Sequence, residues 1–490
     1  MTAAVVFLLA ATFTRPLERV STIDPAASRS IYDAHAVQLV YEAPLAIDYR
    51  ARPYRVAPAY CELPEISDDK LTYVFRVRHD EWDAEGPARC AGDVVRALER
   101  LREPASPNGW IMKDIAAVEA VDAETVKVTL KRPTSYFLWL MAHTACSVVG
   151  PDGRGTGAYR LARWRKNHEM VFERRVSSSS DAFDTVRYLV IDDATTRLLM
   201  FLKGEVDYLG DIPQDTLDNI LGPDGELAPE LRRKGVTLHS IPALEVFYVG
   251  FNMDDKVVGG DGAASRKLRQ ALNCAFDFER WRKYYNGRVD DCTTPVPPGI
   301  PGRLETPTPY RQNLDKARRL LAEAGYADGV DPATGRRLVL TLSIGRADQS
   351  SRESGELLAS FFDRIGVKLE LDFMTWNAYM QAVNEGRFQL FTMGWTGDYP
   401  DAQNFLQMFY GPNRSPGVNH MNYASDEYDR AYERGDYRRC QEIIREDCPW
   451  IFLHYKKEYT LLGARVGNYL MSDFPYGEER YFEAKDGRRD

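Results

Sequence analysis

The chain has little of what marks a metalloprotein, a disulfide scaffold or a membrane protein. Its 490 residues include only seven cysteines and seven histidines. Cys61, Cys90, Cys146, Cys274, Cys292, Cys440 and Cys448 form no C-x-x-C pair and no zinc-like spacing, which excludes a zinc-knuckle framework. An odd count leaves at least one thiol unpaired unless it bridges two chains. Cys440 and Cys448 fall in a helical pattern, roughly 12 Å apart in rise and too distant for a disulfide. The histidines are scattered, and His168-Glu-Met170 breaks the H-E-x-x-H pattern after two residues. Gly-x-Ser-x-Gly elbows and Walker loops are absent as well. Gly155-Thr-Gly157 lacks a third glycine and leads into a strand-like segment, which argues against a dinucleotide site. With 63 Lys+Arg against 72 Asp+Glu, net −9, the chain lacks the basic field that holds nucleic acid. Its longest apolar run, Ala3 to Phe13, is about eleven residues, too short to span a bilayer. That run suits the core of a secretion signal, although no Lys or Arg precedes it; a misplaced start or a buried strand fits as well. Residues 1–16 are therefore read as an incomplete signal segment. No cysteine follows closely enough for a lipid anchor.

What is present is ordinary globular material: 44% hydrophobic, 11% aromatic and 28% charged residues. The length predicts about two or three domains. Leu71-Thr-Tyr-Val-Phe-Arg-Val-Arg78 alternates as a half-buried strand, and Asp93 to Leu101 follows with helical spacing. Glu119 to Leu130 reads as a strand pair turning at Asp122-Ala-Glu124. Gly153-Arg-Gly-Thr-Gly157 is a turn before strands at Tyr159–Trp164 and Met170–Arg174, and Ser177–Ser180 is a short loop. Further on, Leu338–Ile344 is a strand by its branched apolar content. Leu357, Leu358, Phe361, Phe362 and Ile365 share one helical face, with Gly366 where a C-cap belongs. Val367–Phe373 alternates, a helix carries Trp376, Tyr379, Met380 and Val383, and Phe388–Met393 is a strand. This order implies parallel strands joined by crossovers. Ligands bind outside the carboxyl ends of such strands. The loops beginning Gly345-Arg346 and Gly394-Trp-Thr-Gly-Asp398-Tyr399-Pro-Asp401 should therefore open at one rim, bringing a cation, a carboxylate and two aromatics together.

These segments, in order, resemble the bacterial extracellular solute-binding proteins of family 5, the oligopeptide- and dipeptide-binding receptors of ABC importers. Thr22-Ile-Asp-Pro25 and Gln38-Leu-Val-Tyr-Glu-Ala-Pro-Leu45 resemble its opening, and Leu71–Arg78 with Ala91-Gly-Asp-Val-Val95 its strand-then-helix signature. Gly155-Thr-Gly-Ala-Tyr159, Leu202-Lys-Gly-Glu-Val-Asp207, Gly250-Phe-Asn252, Arg269-Gln-Ala-Leu-Asn273, Pro295–Gly302 and Lys316–Tyr326 continue the series. Gly394–Asp401 with Asn404-Phe-Leu406 closes it.

The resemblance implies an α/β, periplasmic-binding-protein-like two-lobed clamshell of type II with an extra inserted domain. Residues 17–46, 151–243 and 459–490 would form lobe I, 47–150 the insertion, and 244–458 lobe II carrying the ligand loop. A short peptide would be engulfed between the lobes and delivered to an ABC permease in the inner membrane, in the periplasm or another extracytoplasmic space. By this resemblance Asp398, as a buried acid, holds the peptide ammonium, and Gly394, Trp395, Thr396 and Tyr399 flank it. Arg346 resembles the arginine that meets the peptide carboxylate in dipeptide binders. A monomer is expected, with no cofactor, metal or catalytic residue and no nucleic-acid partner. The stretches Leu140–Gly155 and Tyr428–Cys448 and the tail after Gly463 are shorter than the family pattern, which bears on which ligand fits.

Two other readings stand beside this one. The same scaffold could take an oligosaccharide or a nickel complex, with Trp139, Trp376, Trp395 and Trp450 as ring-stacking candidates, but an acid at 398 favours an amine. A hydrolase using Asp398 and Asp401 as paired carboxylates is a remote alternative, since acids three apart beside a proline more often serve turn chemistry.

Overall fold

The computed structural model describes residues 11–485 apart from 18, 80–87, 176–181, 211, 213–216, 218–219 and 222–225. The start of the apolar N-terminal run, the Ser177–Ser180 loop and the charged tail after Lys485 lie outside the described residues. The chain divides into two compact units, Met1–Ile241 with Glu458–Asp490, and Pro242–Lys457.

In the first unit, strands Thr12–Leu17, Thr185–Val190, Glu169–Arg174 and Tyr159–Arg165 form one sheet in that order. Thr12–Leu17 pairs parallel with Thr185–Val190, and the remaining pairs are antiparallel. Phe13, Tyr159, Phe172 and Val186 pack from this sheet against Val37, Leu39 and Val40 of helix Ile31–Val40. A second, antiparallel sheet contains Thr72–Arg76, Thr125–Leu130 and Ile115–Ala120, with the turn between the last two at the expected place. Helix Ala91–Arg100 buries Val94, Ala97 and Leu98.

The Gly-Thr-Gly turn is structural. A Cβ on Gly155 would lie 2.7 Å from the Val40 carbonyl oxygen, and one on Gly157 2.9 Å from that of Leu39. The Gly157 N–H donates to the Val40 oxygen at 2.8 Å. Thr156 Oγ1 accepts from the Glu42 N–H at 2.9 Å and donates to the Val148 oxygen at 2.8 Å. The turn thus caps the end of helix Ile31–Val40, and backbone rather than a flexible side chain faces the glycines. Gly157→Ala should cost about 1–3 kcal/mol of stability, read as a lower urea midpoint with unchanged slope.

A buried ionic cluster lies in the same unit. Arg15 Nη1 donates to Glu478 Oε1 at 3.1 Å and to Glu479 Oε1 at 2.8 Å, and its guanidinium stacks 4.0 Å over the Tyr208 ring. The Gly477 N–H donates to His35 Nδ1 at 3.2 Å. Burial and the Arg15 charge hold His35 well below its ordinary pKa, and burial pushes the Glu478 carboxyl up. His35, Glu478 and Glu479 are the only described acid, His or Cys group close enough to share an ion, but Arg15 already occupies the cation position.

In the second unit the sheet order runs through residues 450–457 of strand Trp450–Leu462, residues 242–251 of strand Thr237–Phe251, then Leu390–Thr396, Val339–Ile344 and Lys368–Phe373. Val339–Ile344 pairs parallel with Lys368–Phe373 on one side and with Leu390–Thr396 on the other, as the strand–helix–strand order predicts. The sheet is nevertheless mixed, because the other edge of Leu390–Thr396 runs antiparallel to Thr237–Phe251. The last parallel strand starts two residues later than the alternation suggests and runs on to Thr396, held there by that antiparallel partner. Helix Gln349–Asp363 buries Leu358, Phe361 and Phe362, and Ile365 follows into the same core against Leu340, Leu342 and Leu369. Gly366, at φ 84°, turns the chain back into the next strand, where only glycine is unstrained.

Two glycines in the antiparallel pair face aromatic rings: Phe247 lies opposite Gly394 and Phe391 opposite Gly250. A Cβ on Gly394 would come within 2.9 Å of the Phe247 ring, and one on Gly250 within 2.3 Å of the Phe391 ring. Each ring covers the glycine it faces. All seven cysteines are free thiols, and only Cys90 is not fully buried. Among the described residues no helix is long and apolar enough to cross a membrane.

Candidate functional site

Parallel neighbours end at the same edge of a sheet. The segments leaving Val339–Ile344 and Leu390–Thr396 therefore emerge at one rim of the second unit, with Leu342 level with Leu390 and Ser343 with Phe391. The parallel pairing stops there, whereas the antiparallel pairing continues to Glu245 opposite Thr396. One edge of Gly394–Thr396 consequently has no strand partner among the described residues.

The chain leaves this strand through Gly397, whose N–H donates to the Leu244 oxygen at 2.8 Å. It then turns through Asp398, Tyr399 and Pro400 into helix Ala402–Leu406. Asp401 caps that helix, its carboxylate accepting from the Gln403 N–H at 2.8 Å. This is turn chemistry, as expected for acids so spaced.

Asp398 was expected to be enclosed, but the residue is exposed, because it lies in the open turn between strand and helix. Its surroundings are still dense enough that desolvation pushes the carboxyl above the ordinary aspartate range, opposed by a hydrogen bond from Asn404. Oδ2 accepts from Asn404 Nδ2 at 3.1 Å. Neither a cation on Asp398 nor a partner on its Oδ1 occurs among the described residues.

The remaining site residues differ in kind. Trp395 is half-buried, and its indole Nε1 donates to Asn404 Oδ1 at 3.0 Å. Gly394 is held as glycine by the Phe247 ring. Thr396 is exposed and its hydroxyl lies 3.3 Å from Glu245 Oε1. Tyr399 is only 4% exposed and donates to Gln403 Oε1 at 2.5 Å, so it braces the turn from inside. Arg346 stands at the same rim but is exposed and paired with Asp348 at 3.3 Å. Asp348 in turn caps helix Gln349–Asp363 by accepting from the Ser351 N–H at 2.9 Å. The structure thus joins residues 394–399 into one constellation and ties Arg346 to a neighbouring cap.

Of the ring-stacking candidates, Trp450 is a core residue, stacked 3.5 Å from Tyr248. Trp376 is 55% exposed at the start of the helix that follows Lys368–Phe373, hence at the same edge as Asp398. In the sequence Asn404 stands out only as part of the Asn404-Phe-Leu406 motif. It is fully buried and makes three hydrogen bonds to the site. A short amide directly ahead of the apolar pair Phe405-Leu406, where the helix turns inward, is the signal that singles it out.

The family model for bacterial extracellular solute-binding proteins, family 5 Middle, matches residues 55–417. The chain is 26% identical over 494 residues to heme-binding protein A of Haemophilus influenzae, covering 90% of this chain and 86% of that one. It is 25% identical over 475 residues to the glutathione-binding protein GsiB of Salmonella typhimurium, covering 89% and 87%. Among solved structures, HbpA2 from Haemophilus parasuis superposes with a TM-score of 0.83 at 23% identity, over 97% of this chain and 100% of that one. The periplasmic murein tripeptide-binding protein MppA, in its unliganded open form, gives 0.81 at 20% identity, over 97% and 98%. With an α/β fold shared along its whole length and a family match spanning most of it, the chain belongs to the bacterial extracellular solute-binding proteins of family 5.

Proposed function

We propose that this protein is the substrate-binding receptor of an ABC-type peptide importer, working outside the cytoplasm as a monomer and handing short peptides to a membrane permease. The observation that carries the reading is Asp398: a crowded carboxylate with one oxygen held by a buried amide and, among the described residues, the other open and no cation on it. The α-ammonium of a peptide supplies the missing charge, in a charge-assisted contact worth about 1.5–3 kcal/mol. The unpartnered edge of Gly394–Thr396 offers backbone groups to an extended peptide in the manner of an added strand. Contacts to terminus and backbone leave side chains free, so one site accepts many sequences. Arg346 would meet the peptide carboxylate after releasing Asp348. Residues 47–150 would act as an inserted domain, 17–46, 151–243 and 459–490 as lobe I, and 244–458 as lobe II.

The relatives carry names for heme and for glutathione. Glutathione bears a free amine, whereas heme bears carboxylates that Asp398 would repel, so the acid favours the peptide-like ligand. Mass spectrometry of what copurifies with the folded protein tests this directly. Peptides are expected, and a porphyrin, an oligosaccharide or a nickel chelate would overturn it. A thermal-shift panel follows, since a ligand at 100 times its dissociation constant stabilises by about 2.7 kcal/mol.

The ammonium contact also fixes the pH response. It needs an ionised Asp398 and a protonated amine. Affinity should therefore drop on acidification through the raised carboxyl pKa, and drop again above about pH 8 as the peptide amine loses its proton. Calorimetry across that range should give a bell; a flat profile would remove the ion pair from the account.

A further inference from the structure

We infer that Asn404 is the positioning residue of this site: it holds the Asp398 carboxylate and the Trp395 indole in fixed register, and thereby sets the selectivity for an amine-bearing ligand. The inference rests on the reading of Asp398 as the ammonium acceptor. The orientation of the Asn404 amide follows from the chemistry of its neighbours. The Trp395 indole N–H at 3.0 Å and the Asp398 backbone N–H at 3.1 Å can only donate, and both meet Oδ1. Nδ2 must then face Asp398 Oδ2, at 3.1 Å. One side chain thus satisfies a backbone donor, an indole donor and a carboxylate oxygen. It does so from full burial, behind the turn, so it acts through Asp398 and not on the ligand.

Two consequences follow for recognition. With Oδ2 occupied, Oδ1 is the oxygen left open, so the approach of an ammonium is directed to a single acceptor. The Nδ2–H also favours the ionised form of a carboxylate that its surroundings push toward neutrality. The charged groups on adjoining elements are otherwise engaged: Glu245 with Lys456 at 3.4 Å, Arg346 with Asp348 at 3.3 Å, and Asp401 on the helix cap. Asn404 is therefore the group that keeps Asp398 both charged and aimed.

The test uses the full chain, with trialanine and its N-acetyl form as probes. In carbon-13 aspartate-labelled protein, assigned with Asp398→Asn, the Asp398 carboxyl should titrate at higher pH in both Asn404→Leu and Asn404→Asp than in the parent. In nitrogen-15 tryptophan-labelled protein, with eight indole signals, the Trp395 resonance should move in Asn404→Leu and stay in Asn404→Asp, which keeps the acceptor. Trialanine should bind Asn404→Leu at least tenfold more weakly, and the acetylated peptide should show no such change. An unmoved Asp398 titration in Asn404→Asp overturns the inference, even if Asn404→Leu fails to fold. Trialanine binding that Asp398→Asn leaves intact would instead refute the ammonium reading, while the titration in ligand-free protein still judges Asn404.

Discussion

Asp398→Ala should weaken the binding of a free-amine tripeptide about 100-fold, equivalent to about 2.7 kcal/mol, and should leave an N-acetylated peptide almost unaffected. The size follows from what is lost. A charge-assisted hydrogen bond is removed, and the ligand ammonium, already stripped of part of its water, is left without a counter-charge. Asp398→Asn separates the two contributions, because it keeps the shape and an acceptor but not the charge. If calorimetry returned equal affinities for parent and Asp398→Ala, Asp398 would be no more than a solvated loop acid. The folded state should register the change only weakly, since the residue is exposed and gives up, among the described residues, a single side-chain hydrogen bond, the one from Asn404. Loss of binding without loss of stability is thus the expected signature.

The opposite signature belongs to the first unit. Arg15→Met should cost about 3–5 kcal/mol of stability, the usual result of stranding buried charge, with the turn around Asp398 untouched. Arg15 is 7% exposed and bonds Glu478 and Glu479, which are 8% and 0% exposed. Without the guanidinium these acids must be buried bare or take up protons. Burial already pushes Glu478 up, so protonation is the cheaper course in acid. A carboxyl whose folded pKa exceeds its unfolded one stabilises below the unfolded pKa and loses that effect as pH rises through the folded one. The deficit of Arg15→Met should therefore be small near pH 5 and grow through neutrality, and Glu478→Gln on top of it should recover part of the loss. Denaturant titrations at several pH values would show this; a deficit independent of pH would mean that Arg15 matters for packing over Tyr208 and not for charge.

How much of this was legible in the chain itself depends on sequence separation. The strand and helix series from Val339 to Thr396 and the Gly-Thr-Gly turn are local patterns, and each forms close to where periodicity and turn chemistry place it, the last strand being shifted by two to three residues. The mixed character of the second sheet was not legible, because it comes from Thr237–Phe251, whose partner lies more than a hundred residues away and whose pairing no local pattern encodes. The Arg15 cluster was hidden for the same reason: its acids are 463 and 464 residues distant. At the site, the acid and the tryptophan could be picked out by type, but their exposure could not. Asp398 lies open where enclosure was expected, Tyr399 turns inward, and Arg346 finds a partner two residues away. Such outcomes depend on which way a turn faces, which neighbouring elements decide. Asn404 escaped notice because a buried amide reveals its purpose only through what surrounds it.

The pairs of facing glycine and phenylalanine limit how this receptor could be retuned. Any side chain added at 394 would collide with Phe247, and any at 397 with Phe405, 2.7 Å away. Those backbone stretches are locked as bare platform, whatever solute is carried. New selectivity has to be written at exposed neighbours such as Thr396 and Arg346, where a change of size or charge meets no such ring. Cargo preference could thus drift among descendants of this chain while the scaffold that presents the acid stays the same.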